Sequence, residues 1–287
     1  MEEHNDDKPV GRLLNRREVL ALLGGSGVAL LAGLNLPSTG AMRSTATPAI
    51  AVTPAMAATP LPACVVRPEL TEGPYFVDGQ LNRMDIRLDP TDGSIKAGLP
   101  LRLIYRVSNV ANGVCMPLAG AQVDVWHCDA AGVYSGVRDA SFDTSGEKWL
   151  RGYQITDERG IAEFITIVPG WYPGRAVHIH FKIRVDAGEA QAYEFTSQFF
   201  FDPDVIETIY AEPPYAAKGL PNTPNTRDNI YQQSGGALTL ELIRMTADEL
   251  EAVEAEAGYT ATFDIGLDLT DDSVAPADGF GGRPGRP

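Results

Sequence analysis

The strongest constraint in this sequence is a rhythm of short runs in which apolar and polar residues alternate, each cut off by a turn. Such runs fall at 99–107, 121–127, 161–168, 177–185, 193–201, 237–243 and 259–267. Alternation with period two puts one face of a segment into a core and the other outside, as an extended strand requires. Breakers separate the runs: Ala131-Gly132, Glu158-Arg159-Gly160, Pro169-Gly170, Gly188 and Gly235-Gly236. This punctuation predicts an all-β fold, an antiparallel β-sandwich with long loops and short helices. A 44% hydrophobic fraction over 287 residues is enough for one sizeable core. The Pro- and Asn-rich stretch 202–233 predicts an excursion over the surface with a short helix near 203–210, and 247–256 predicts a short acidic helix.

The ends have a different character. Residues 15–20 read Asn-Arg-Arg-Glu-Val-Leu, and a glycine-softened apolar run follows from Val19 to Leu36. Then comes an Ala/Thr/Pro-rich stretch with Ala55-Met56-Ala57 as a small-x-small cleavage candidate. Paired arginines, a modestly apolar centre and such a site resemble a twin-arginine export signal, which carries proteins already folded. An uncleaved membrane anchor is the rival, but the glycines weaken it. The expected organisation is a signal and linker at 1–57, a β-sandwich domain at 58–270 and a disordered Gly/Pro-rich tail at 271–287. The mature protein would be periplasmic or secreted, with no stable membrane partner after cleavage.

Ten charges in the signal segment cancel, so the net −15 rests on the rest of the chain. A body this acidic repels phosphate backbones, which excludes nucleic acid as the expected partner. Three cysteines, Cys64, Cys115 and Cys128, allow one intrachain disulfide in three pairings.

The chemistry concentrates in Pro169-Gly170-Trp171-Tyr172-Pro173-Gly174-Arg175-Ala176-Val177-His178-Ile179-His180-Phe181. On a strand, His178 and His180 face the same side while Val177, Ile179 and Phe181 face the core. His-x-His is a common way to aim two imidazoles at one metal. The chain has four histidines; His4 lies in the signal, and His127 shares a face with Val123 and Val125. His127 therefore reads as structural, although a zinc hydrolase using His127, His178 and His180 is the alternative enzyme. Otherwise the remaining ligands must be oxygens. Tyr172 lies in the turn before the strand, and Tyr134 follows the 121–127 run. Phenolate is a hard anionic donor that suits Fe(III) better than Zn(II).

The order of Thr71-Glu-Gly-Pro-Tyr75, Val123–Tyr134, Asp157-Glu-Arg-Gly160, Pro169–Phe181 and Thr196–Asp202 resembles the intradiol ring-cleavage dioxygenases, over roughly residues 62–270. The resemblance implies one Fe(3+) held by Tyr134, Tyr172, His178 and His180. It also implies cleavage of a catechol by O2, between its two hydroxyl-bearing carbons, to a muconate-type diacid. Arg175 matches the family's active-site arginine and Gln198 a glutamine near substrate and oxygen. Tyr172 is the expected proton acceptor among the ligands, and Pro74 and Tyr75 are candidates for the pocket wall. A homo-oligomer is compatible with this reading. A non-catalytic exported β-sandwich that binds aromatic or carbohydrate ligands is the alternative outside enzymes.

Overall fold

The computed structural model describes residues 65–185 and 193–270. The expected signal, its cleavage site, Cys64, Gly188 and the tail lie outside the described residues.

Two mixed sheets share one apolar core. In the first, β1 (Pro100–Ala111) is flanked on one side by β2 (Val114–Pro117) and β5 (Ile161–Ile167), and on the other by β10 (Tyr259–Leu267). β9 (Ile243–Arg244) pairs outside β10. The second sheet runs β4 (Arg151–Ile155), β3 (Gln122–Trp126), β6 (His178–Val185), β7 (Tyr193–Phe201) and β8 (Thr239–Leu240). The sheets are not antiparallel throughout as expected: β1 runs parallel to β10, and β7 parallel to β8. Both exceptions come from the C-terminal part of the chain, which returns after long connections that free it from hairpin geometry.

Alternation in sequence becomes burial in the fold. Leu101, Leu103, Tyr105 and Val107 of β1 meet Val123, Val125, Ile179, Phe181, Ile183 and Phe199 of the other sheet in one cluster. Aromatic rings fill the gap: Tyr105 lies 5.6 Å from Phe181, and Phe199 lies 4.3 Å from Phe263. The run expected at 237–243 is two elements, because the chain leaves β7 after Leu240 and joins β10 at Ile243. β2 and β4 carry no clean alternation and were not expected as strands.

Three short α-helices and two 3-10 turns, Tyr215–Ala217 and Asn225–Arg227, complete the described chain. The helix expected near 203–210 is α1 (Pro203–Tyr210), with Asp202 accepting from Asp204 N and Val205 N and a proline in its first turn. α2 (Asn229–Gln233) is capped by Asp228. α3 (Ala247–Ala252) starts on a Thr246/Glu249 capping box.

Cys115 is disulfide-bonded, whereas Cys128 is free and buried. Pairings through Cys128 are therefore excluded.

Candidate metal centre

The outer face of the second sheet carries the site. Register places Trp126, His180 and Gln198 abreast on β3, β6 and β7, with His178 one pleat along from His180. Trp126 lies flat on the His180 ring, 5.0 Å between centroids and 10° between planes. The two histidines point away from the core that holds Ile179 and Phe181, as strand alternation requires.

The tyrosines come from two turns that touch. Asp129 folds the first, accepting from Ala131 N and Val133 N through its carboxylate and from Gly132 N through its carbonyl. Gly132 sits at φ +82°, and a Cβ there would fall 2.0 Å from Trp171 O. A Cβ on Gly170 would fall 2.4 Å from Ala130 O. Only glycines let the 129–134 and 169–172 backbones approach this closely. Lys218 closes the contact by donating to Ala131 O and Trp171 O. The result sets Tyr134 and Tyr172 edge to face, 5.9 Å apart.

Four groups thus converge. Tyr134 Oη lies 3.3 Å, Tyr172 Oη 3.2 Å and His180 Nε2 3.1 Å from His178 Nε2. Tyr134, His178 and His180 are buried, and Tyr172 is half-buried, so it forms the accessible side. His178 Nδ1 lies 2.6 Å from Ala176 O and must donate to it, which leaves Nε2 with a lone pair only. One in-plane lone pair cannot satisfy three polar neighbours. His180 Nδ1 is also buried without a hydrogen-bond partner. Hydrogen bonding alone does not explain the arrangement, whereas two phenol oxygens and two imidazole nitrogens aimed at one another fit a shared metal ion.

The electrostatics agree. Burial, and for His180 also the neighbouring His178, holds both imidazoles well below their ordinary range, so they stay neutral as ligands must be. Burial, then Tyr172 beside it, pushes the Tyr134 phenol well above its usual range. Without a cation the phenol keeps its proton; a metal charge is what would remove it.

Arg175 and Gln198 lie together behind this group. Arg175 Nη2 donates to Gln198 Oε1 at 2.6 Å, and Gln198 Nε2 donates to Thr71 O at 2.8 Å. Burial presses the Arg175 cation downward, but Tyr172, Asp228 and Tyr134 outweigh it and the net shift is upward. Tyr75 stacks on Tyr134 at 4.5 Å and donates to Asp139 Oδ2 at 2.9 Å, which makes it part of the wall. Pro74 is exposed in the turn before it.

His127 does not join. Its Nδ1 lies 2.8 Å from Cys128 O and its Nε2 2.6 Å from Thr166 Oγ1, so both nitrogens are engaged. Among the described residues no three His, Cys, Asp or Glu side chains are grouped to hold a metal. The three-histidine zinc alternative is thereby corrected: His127 shares the valine face and turns into the core. Asp228 and Arg151 were not singled out from sequence. Asp228 precedes Asn229-Ile230 as a helix cap, a signal that gives no hint that its other oxygen accepts from Arg175 Nε. Arg151 donates to Ser135 and to the Tyr75 carbonyl, tying the segment that carries Tyr75 to the turn that carries Tyr134.

The chain matches the family model described as Dioxygenase (Dioxygenase_C) over residues 71–234. It is 31% identical over 103 residues to a chlorocatechol 1,2-dioxygenase of Pseudomonas putida, covering 30% of this chain and 36% of that protein. It is 27% identical over 165 residues to catechol 1,2-dioxygenase 1 of Acinetobacter lwoffii, covering 48% and 47%. The chain spans less than half the length of these two relatives. Among solved structures it is similar to an intradiol ring-cleavage dioxygenase from Tetranychus urticae, with TM-score 0.58 and 26% identity over 71% of this chain and 95% of that one.

Proposed function

The chain belongs to the dioxygenase family, and we propose that it is a non-haem iron enzyme that uses O2 to cleave a catechol-type ring between its two hydroxyl-bearing carbons. The product would be a muconate-type diacid. The observation that carries this reading is the convergence of Tyr134, Tyr172 and His180 on His178 Nε2, within 3.3 Å, beside an accessible edge. Two phenolates among four donors favour Fe(III) over softer ions.

Bound there, a ferric ion would supply Lewis acidity toward a catechol dianion. The chain's own residues supply the rest. Ionised by such a metal, the half-buried Tyr172 would be the phenolate placed to take a proton from an incoming catechol hydroxyl onto its Oη. Arg175, lifted further into its charged form, stabilises negative charge that builds on the substrate. Its guanidinium stays in place because Gln198 and Asp228 hold separate nitrogens of it. Tyr75, stacked on Tyr134, walls one side and excludes water there.

Metal analysis, a visible spectrum and oxygen uptake with a panel of catechols test this. The expectation is one iron per chain, a reddish tyrosinate-to-iron band and oxygen consumed one-for-one with catechol. Colourless zinc protein, or iron protein that consumes no oxygen with any catechol, would overturn it. We also propose that the enzyme acts outside the cytoplasm. The paired arginines support export, and the disulfide at Cys115 suits an oxidising compartment. Cell fractionation checks this.

A further inference from the structure

We propose that Asp228 is a positioning residue of this site, whose one carboxylate fixes both the Arg175 guanidinium and the backbone that orients His178. The inference rests on the iron-site reading above and adds a residue to it.

Asp228 stands at the far end of the surface excursion, yet it is 1% exposed. Its Oδ1 accepts from Ile230 N and Tyr231 N, each at 2.9 Å, and so caps α2. Its Oδ2 accepts from Arg175 Nε at 2.9 Å and from Ala176 N at 2.8 Å. A helix cap needs one oxygen, and Ser or Asn supplies it as well as Asp. The second oxygen is spent on the site.

Two lines run from it. Through Arg175 Nε it sets the guanidinium, whose Nη2 is then carried to Gln198. Through Ala176 N it fixes the peptide whose neighbouring carbonyl accepts from His178 Nδ1. That bond decides which nitrogen of His178 faces the other donors. Asp228 touches neither substrate nor reacting atoms; it acts through residues that do. All four of its partners are donors, so a carboxamide would have to turn its NH2 against two of them.

The test compares D228S, which keeps a capping oxygen, with D228N, each alone and combined with R175Q. Fe(III) affinity is read by competition with a chelator, folding by thermal unfolding, and catalysis by kcat and KM on catechol. The expected result is a folded D228S with Fe(III) affinity weaker by about tenfold or more, the range for partners behind a metal ligand. Its kcat should fall by a similar factor with KM much less affected, and the fall should be smaller in the R175Q background, where only the line through Ala176 and His178 is left to lose. A folded variant with unchanged affinity and kcat would overturn the proposal. So would an equal loss of kcat with and without Arg175. If the wild-type chain binds Fe(III) but consumes no oxygen with any catechol, the proposed function fails and Asp228 is decided by the affinity alone. Tenfold weaker binding then upholds its role, and wild-type binding ends it.

Discussion

His127 and the His178–His180 pair lie in the same part of the fold, are all at most 2% exposed and are all held neutral by burial. By burial and proton affinity they are alike. They differ in what their nitrogens meet. His127 has a carbonyl on one side and a hydroxyl on the other, so its hydrogen bonds are complete. His178 has one nitrogen settled on Ala176 O and the other crowded by three groups that a single lone pair cannot serve. A shifted pKa marks a buried histidine; the imbalance of partners marks the one prepared for a ligand.

The largest effect expected is on iron. H178A should lose more than the roughly 10–100-fold affinity that outer partners carry, while H127Q should keep full iron content. Metal analysis after dialysis against a chelator reads both, and equal loss in the two variants would erase the contrast.

A second test uses pH. The His127 imidazole is lowered from 6.5 to about 4 by burial, so between these values the unfolded chain binds the extra proton. Stability from this residue is complete above pH 6.5 and declines toward pH 4, by about 3 kcal/mol in all. Denaturant unfolding of metal-free protein across that window should show this slope in the wild type and a shallower one in H127Q.

The phenols can be moved instead. G132A places a methyl against Trp171 O at a positive φ, and the two turns must separate. It should cost about 1–3 kcal/mol in thermal unfolding and weaken iron binding, leaving His178 closer to an ordinary buried histidine. Unchanged iron binding would show that the phenols are not held by this contact.

The smallest change is T166V, which removes the hydroxyl at His127 Nε2. About 1 kcal/mol of stability should go, with iron affinity unchanged. A drop in iron affinity would mean that the two regions communicate.

What sequence could show follows the range of the interactions. Strand alternation at 177–185 placed His178 and His180 on one face, and β6 carries them so. Tyr172 was legible because it adjoins that strand, and Tyr134 because it follows another. The parallel pairings were not legible, since alternation reports faces and carries no strand direction. β4 was missed because Arg-Gly-Tyr-Gln-Ile breaks the pattern: Arg151 is buried by bonds to loops far away in sequence. Asp228 was hidden for the same reason, as 53 positions separate it from Arg175.

The glycine contact between the two tyrosine turns has a practical consequence. Neither turn can be exchanged alone for one from a relative without reshaping the other, so they form a single cassette for protein engineering. Libraries meant to alter substrate choice should keep Gly132 and Gly170 fixed and vary the stretch from Val137 to Phe142, where Val137 and Phe142 pack against the cluster that holds Tyr134 without building that junction.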